Sequence, residues 1–467
     1  MATYIRSCFG QFVLFGTMLV TSGSMAQTTF TVGDNTVTVE ELATGLEVPW
    51  DMVLGPDGWI WFTQANGQVH RLDPDDGTLQ LVHTVADVVV SGFTAGLHSM
   101  AFHPDFANEP YVYLHYMISA SESVVKRFLY DAGSNSFTDV SPHLLSVALP
   151  GGASHNGSRL VADDQGNFIL TMGDHMSGSA LVQDLNAVEG KFLRFDPLGG
   201  IPADNPIPGS YVFNWGHRNP QGLVRASNGK WYNSAHGAGV DDEVNLVLPN
   251  RNYGWPTVAG LCNTAAEITY CEENDVVEPI HEFSVVVAPS GLDHYDHPAL
   301  PGWQNSLLVA TLRGRELHQL QLDPTGEQVI ADEVYLTGTY GRLRDVLVHP
   351  DGRVFISTSN HDWSGTPGPT DDRILALVSD AIHTGTPPAP TTDHGMRFDA
   401  ATRRLLLTGP VDGNTVVQVL DAAGRTVEST RPIAGVVDLQ SLAPGTYVAL
   451  VVGGASGQRS RFVVSAP

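Results

Sequence analysis

The chain has 467 residues, with 50 Asp and Glu against 24 Lys and Arg and a formal net charge of −26. So acidic a surface repels phosphate backbones and anionic membranes, which argues against nucleic-acid binding and polybasic membrane attachment. Apolar residues make up 42% and charged residues 16%, a composition that builds a core, and the length predicts more than one domain.

Residues 1–26 read as a removable signal peptide: Arg6, an apolar stretch from Phe9 to Val20, then Ser24-Met25-Ala26 as a small-residue cleavage site before Gln27. The mature chain is therefore expected to be secreted or held at the cell surface, with the periplasm as its route. No later run reaches the ~18 to 20 apolar residues of a membrane helix. Cys8 leaves with the leader, so Cys262 and Cys271 remain as an even pair in an oxidising compartment. One disulfide is expected, across a short polar loop from Asn263 to Tyr270.

From residue 27 to 379 short β-rich runs alternate with Gly, Pro, Asp and Asn turns, which predicts an all-β fold. A turn-then-strand unit recurs: Gly55-Pro56-Asp57-Gly58 before Trp59 to Thr63, Asp163 to Gly166 before Asn167 to Thr171, and Pro350-Asp351-Gly352 before Val354 to Thr358. Repeated four-stranded units point to a β-propeller, although spacing alone leaves the blade number open. Residues 380–395 form a Pro/Thr-rich linker. The tail, 396–467, carries seven Arg and five acids, a net of +2; with +1 on the leader, that leaves −29 on residues 27–395. Its short apolar runs, such as Val416 to Leu420 and Gly445 to Val448, predict a small β-sandwich.

Only 16 Lys and Arg remain for residues 27–395 once the leader and tail are removed, so places where cations gather are informative. Arg218, Arg313, Arg342 and Arg344 lie in short turn-flanked motifs, and Arg342-Leu343-Arg344 at a period of two puts both guanidinium groups on one strand face. Such forks suit carboxylates; solvated arginines with acidic surface partners are the plain alternative. His155, in His155-Asn156-Gly157-Ser158-Arg159, sits in a turn before a strand and is a candidate general base. Asp241-Asp242-Glu243 beside Gly237 and Ala238, followed by Asn252-Tyr253-Gly254-Trp255, offers hard oxygen ligands of the kind calcium takes, without EF-hand spacing. A solvated acidic turn is the alternative there.

Taken in order, the motifs resemble the soluble glucose/sorbosone dehydrogenases, six-bladed propellers that bind pyrroloquinoline quinone (PQQ) and calcium. The resemblance runs from Gly45 to Trp50, through Ala101-Phe102-His103-Pro104-Asp105-Phe106, the His155 motif, Gly190-Lys191, Gly216 to Gly222, the Asp241 motif with Asn252 to Pro256, Ala288-Pro289-Ser290-Gly291, and Arg342 to Asp345. It implies that His155 removes the proton from the sugar hydroxyl while hydride passes to the quinone, and that Arg218, Asn219, Arg313, Arg342 and Arg344 bind the cofactor. It further implies calcium on the backbone carbonyls of Gly237 and Ala238, and a second calcium at Asp242, Glu243 and Tyr253. An aldose sugar and an external electron acceptor would be the partners. Arg313 stands where glucose-oxidising members have lysine, and Thr94 about where they have glutamine, differences that bear on which sugar is used.

The tail resembles the C-terminal sorting domain of the type IX secretion pathway, through Val419 to Arg425, Val437-Asp438-Leu439, Leu442 to Tyr447 and Arg461 to Val464. That resemblance implies the secretion machinery as a partner; a carbohydrate-binding or spacer sandwich is the alternative. For the chain as a whole, the alternative from another class is a non-enzymatic, calcium-stabilised propeller that binds glycan or protein.

Overall fold

Three of the recurring units open the same kind of hairpin. They join Pro49–Leu54 to Ile60–Gln64, Gly157–Ala162 to Phe168–Met172, and Leu343–Val348 to Val354–Thr358. The turn Asp folds each one: Asp57 accepts from the Trp59 amide at 3.1 Å, Asp163 from the Gln165 and Asn167 amides at 2.8 Å, and Asp351 from the Arg353 amide at 3.0 Å. The second oxygen of each carboxylate takes a guanidinium, from Arg71, Arg194 and Arg353 respectively. Gly58, Gly166 and Gly352 follow at φ +82°, +83° and +93°, a conformation glycine adopts without strain.

The computed structural model describes residues 27–381 except 91–94, 142, 177–178 and 363, and in the tail 396–399, 403–407, 416–421, 426–432, 436–443, 445–452 and 459–464. The leader, Thr94 and most of the Pro/Thr-rich stretch lie outside the described residues. Six antiparallel sheets form a propeller, with innermost strands Pro49–Leu54, Leu97–Phe102, Gly157–Ala162, Asn219–Arg225, Pro289–Tyr295 and Leu343–Val348. The sixth blade is completed by the chain's beginning: Asn35–Ala43 pairs antiparallel with Ile374–Ser379, Val39 opposite Leu377. That pairing joins the two ends of the ring.

Apolar side chains are buried between neighbouring blades. The cluster of the third and fourth blades, Ile169, Phe192, Leu223 and Val247, is the smallest, and that of the fifth and sixth, around Tyr295, Trp303 and Ile356, the most extensive. All six innermost strands slip register near their start, at Pro49/Asp51, Leu97/Met100, Gly157/Leu160, Pro220/Gly222, Pro289/Leu292 and Leu343/Asp345. Such bulges re-aim side chains out of the pleat, and here they supply the polar groups of the central channel.

The segment expected as a polar loop between the cysteines is instead helical over Ala265–Asn274. Thr264 Oγ1 accepts from the Glu267 amide at 3.3 Å and Glu267 accepts from the Thr264 amide at 2.9 Å, a reciprocal cap that the Thr-x-x-Glu spacing encodes. The expected Cys262–Cys271 disulfide is present. In the tail, a three-stranded and a four-stranded sheet share one buried cluster, including Leu405, Val417, Val437 and Tyr447. Among the described residues no helix is long and apolar enough to cross a membrane.

Candidate active site

One local rule builds the site. In each blade the first and second strands form a hairpin, so residues just before the first strand meet those just after the second. Gly157 pairs with Met172, which brings His155 beside Asp174 across 19 residues. His155 Nδ1 lies 2.7 Å from Asp174 Oδ1, and His155 itself is held at φ +57°. Asp174 also accepts from Trp255 Nε1 at 3.0 Å and from the Met176 amide at 2.9 Å. Burial pushes the Asp174 carboxyl upward, but these donors and the His155 ring outweigh it, and the net shift is downward. A carboxylate at Nδ1 fixes the ring's orientation and leaves Nε2 as the basic nitrogen.

The same rule repeats in the fourth blade, where Asn219 pairs with His236. Asn219 Nδ2 lies 3.1 Å from His236 Nδ1, its Oδ1 accepts from the Gly157 amide at 3.2 Å, and Arg218 donates to the His236 carbonyl at 3.3 Å. The Arg218 guanidinium also stands 5.5 Å above the Trp255 ring, which links it to the His155–Asp174 pair. His236 is half-buried, and desolvation of its ring pushes it down to about 3, with Arg218, His155 and Arg344 all adding to the shift.

In the sixth blade Leu343 pairs with Thr358, and Arg342 and Arg344 both reach Asp362 Oδ2, at 2.8 and 3.1 Å. The face shared by the two arginines is as their spacing predicts. Arg313 follows the second strand of the fifth blade, beside Leu312, whose carbonyl accepts from Arg342 at 3.2 Å; its side chain is exposed.

The proposed metal residues have other partners. Asp242 is buried and accepts three backbone N–H bonds, from Gly237 (2.8 Å), Val287 (2.8 Å) and Ala288 (2.6 Å), so it braces the Gly237–Ala238 turn. The Tyr253 hydroxyl donates to the Leu246 carbonyl at 2.7 Å and accepts from the Leu248 amide at 2.8 Å, leaving its backbone carbonyl as the available ligand. Glu243 accepts from Asn245 at 3.0 Å, and burial pushes it up to about 7. Among the described residues no group of three or more His, Cys, Asp or Glu is gathered to hold a metal.

Sequence reasoning leaves out Asp174 and Asp362 and gives His236, which opens the Asp241 motif, no role; His236 ends the second strand of its hairpin and the two aspartates follow theirs, and that position is the signal. It also quoted Arg159 and gave it no role. Arg159 lies on the channel axis, paired with Asp51 and, at 2.9 Å, with Asp345, under the Trp50 ring. Beyond it lies a cavity of about 220 Å³ lined by Val53, Ala101, Val161, Val224, Leu292 and Leu347.

A family model described as glucose/sorbosone dehydrogenase matches residues 46–364. Quinoprotein glucose dehydrogenase B of Acinetobacter calcoaceticus is 29% identical over 399 residues, covering 67% of this chain and 83% of that protein. The solved PQQ-bound aldose sugar dehydrogenase of Streptomyces coelicolor is 30% identical with a TM-score of 0.62, covering 73% of this chain and 98% of that one. The apo-form soluble aldose sugar dehydrogenase of Escherichia coli is 26% identical with a TM-score of 0.60, over 73% and 99%.

Proposed function

The chain belongs to the glucose/sorbosone dehydrogenase family, and from that premise we propose that it is an exported, PQQ- and calcium-dependent oxidoreductase that converts aldose sugars to lactones at the anomeric carbon. The observation that carries this reading is the 2.7 Å contact of His155 Nδ1 with Asp174. With Nδ1–H donated to the carboxylate, Nε2 takes the proton of the anomeric hydroxyl, and Asp174 stabilises the imidazolium that results. Trp255 and the Met176 amide hold Asp174 in place for that task.

The quinone, when bound, supplies the hydride acceptor. The donor set suits so anionic a group: Arg218, Asn219, Arg313, Arg342 and Arg344 come from three consecutive blades at one mouth of a propeller that is otherwise strongly acidic. Arg344 is held by burial with incomplete neutralisation, its pKa pushed down to about 10, which is the condition of a cation awaiting a carboxylate. Gly237 and Ala238 would offer backbone carbonyls to calcium beside the quinone. Asp242, Glu243 and the Tyr253 carbonyl would form the second calcium site.

The Arg-bearing tail would act as the address read by a type IX secretion system. Purified apoprotein supplied with calcium and PQQ should reduce a dye with a panel of aldoses. Absence of dye reduction with every aldose, in protein shown to bind the quinone, would overturn the catalytic reading and leave a binding propeller.

A further inference from the structure

We propose that Gln221 is a positioning residue for the anion-binding arginines, setting the plane of Arg344 by tying it to the Arg159 ion cluster; this rests on the quinone-site reading. The register slip between Pro220 and Gly222 lifts Gln221 out of its ladder, so both ends of the residue face the channel. Its backbone carbonyl accepts from Arg159 Nε at 3.1 Å, and its side-chain Oε1 accepts from Arg344 at 3.1 Å and from Ser290 Oγ at 3.2 Å. Arg344 is gripped on its other edge by Ser359 Oγ, at 3.2 and 3.1 Å, and by Asp362 at 3.1 Å. A planar guanidinium held along both edges presents its remaining N–H groups in one direction. Arg159, fixed by Asp51 and Asp345, is the anchor at the far end.

Without the Gln221 acceptor, Arg344 keeps only one edge and a buried N–H is left unpaired. The test titrates apoprotein with PQQ in the presence of calcium, read by quenching of tryptophan fluorescence, with melting curves recorded alongside. Gln221→Met should raise Kd about tenfold or more, the scale of a hydrogen bond to a charged group. Gln221→Asn, which withdraws the amide by one methylene but stays polar, should weaken binding in the same direction. Gln221→Glu, which keeps an acceptor at the same reach but supplies Arg344 with a carboxylate of its own, should also weaken binding of the anionic quinone. In an Arg344→Met background, Gln221→Met should add no further loss, because the glutamine acts through that guanidinium.

Unchanged Kd in Gln221→Asn, or full additivity with Arg344→Met, overturns the proposal. Should Gln221→Met fail to fold, the Asn variant decides alone. Melting shifts with benzene-1,3,5-tricarboxylate separate the two readings. A wild type that binds this probe but not PQQ fails as a quinoprotein, and the same variants then test Gln221 against the tricarboxylate. Binding of neither overturns both.

Discussion

Arg159 and Arg344 are both buried on the channel side of innermost strands, and a single glutamine touches both, yet their charges are met differently. Arg159 faces two carboxylates, Asp51 and Asp345, and although burial opposes its charge these partners raise its pKa. Arg344 shares one carboxylate, Asp362, with Arg342, and burial pushes it down to about 10. A buried cation with more than its share of anion is a tie between blades one, three and six. One with less than its share is, on the function proposed above, the group left to meet a ligand's anion, a distinction that burial alone does not draw.

The largest expected effect breaks this comparison if it fails. Arg159→Met strands two carboxylates in the interior and should cost about 3–5 kcal/mol or abolish folding. Arg344→Met should cost within about 1 kcal/mol, since Arg342 still pairs Asp362, while PQQ affinity falls. Urea unfolding of the two variants makes the comparison, and equal losses would mean that both arginines are scaffold.

Next in size is the chemistry on the site side. His155→Ala should lower turnover by about 10²–10⁴ while leaving quinone affinity nearly intact. Steady-state kinetics alongside the fluorescence titration separate the two quantities, and unchanged turnover removes His155 from the mechanism.

Much of the scaffold was legible because turn chemistry is local. Asp57, Asp163 and Asp351 announce their hairpins through Asx turns and a following glycine, and the alternation of apolar residues assigns the strands. The cationic residues were legible because cations are scarce in so acidic a chain. Asp174 and Asp362 were not, since each meets its partner only through the register of its blade's first hairpin; Gln221 was not, since Arg159 and Arg344 reach it from other blades. The helix at Ala265–Asn274 is legible only through its Thr264-x-x-Glu267 cap, because the polar residues between the cysteines read as loop.

Calcium tests the Gly237 to Glu243 segment in isolation. Chelator should lower stability by up to about 2.7 kcal/mol where free calcium had stood a hundredfold above its Kd, and should lower quinone affinity with it. A melting curve indifferent to chelator and to added calcium would remove calcium from Asp241-Asp242-Glu243 and leave Asp242 as a backbone brace.

A smaller effect concerns the buried neutral groups beside the site. His217 is stacked between Phe192 and Tyr253, each at 4.3 Å, donates from Nε2 to Asn214 Oδ1 at 2.9 Å, and is pushed down to about 3 by burial. Its folded pKa lies below the unfolded value of about 6.5. Between those values the unfolded chain binds a proton that the folded chain refuses, so this group costs stability as pH falls from 6.5 toward 3. His217→Phe should therefore cost about 1 kcal/mol at pH 7.5. That gap should close by up to about 1.4 kcal/mol for each pH unit below 6.5. A gap independent of pH would show that His217 does not titrate on unfolding.

The smallest effect on the propeller is expected from removing the tail. The ring is closed by Asn35–Ala43 against Ile374–Ser379, both before residue 380, and the tail's sheets bury their own cluster around Leu405, Val417 and Tyr447. The charge also changes, from −29 over residues 27–395 to +2 beyond, as between separately folded units. Truncation after residue 395 should leave dye reduction, quinone affinity and the urea midpoint of the propeller within error of the full chain, because every residue argued above lies upstream. Delivery to the surface or medium should fail. Fractionation of cells expressing either form reads this directly. Equal export of the two forms would replace the sorting reading with a spacer or carbohydrate-binding sandwich, while a weakened propeller would show that the two units are energetically one.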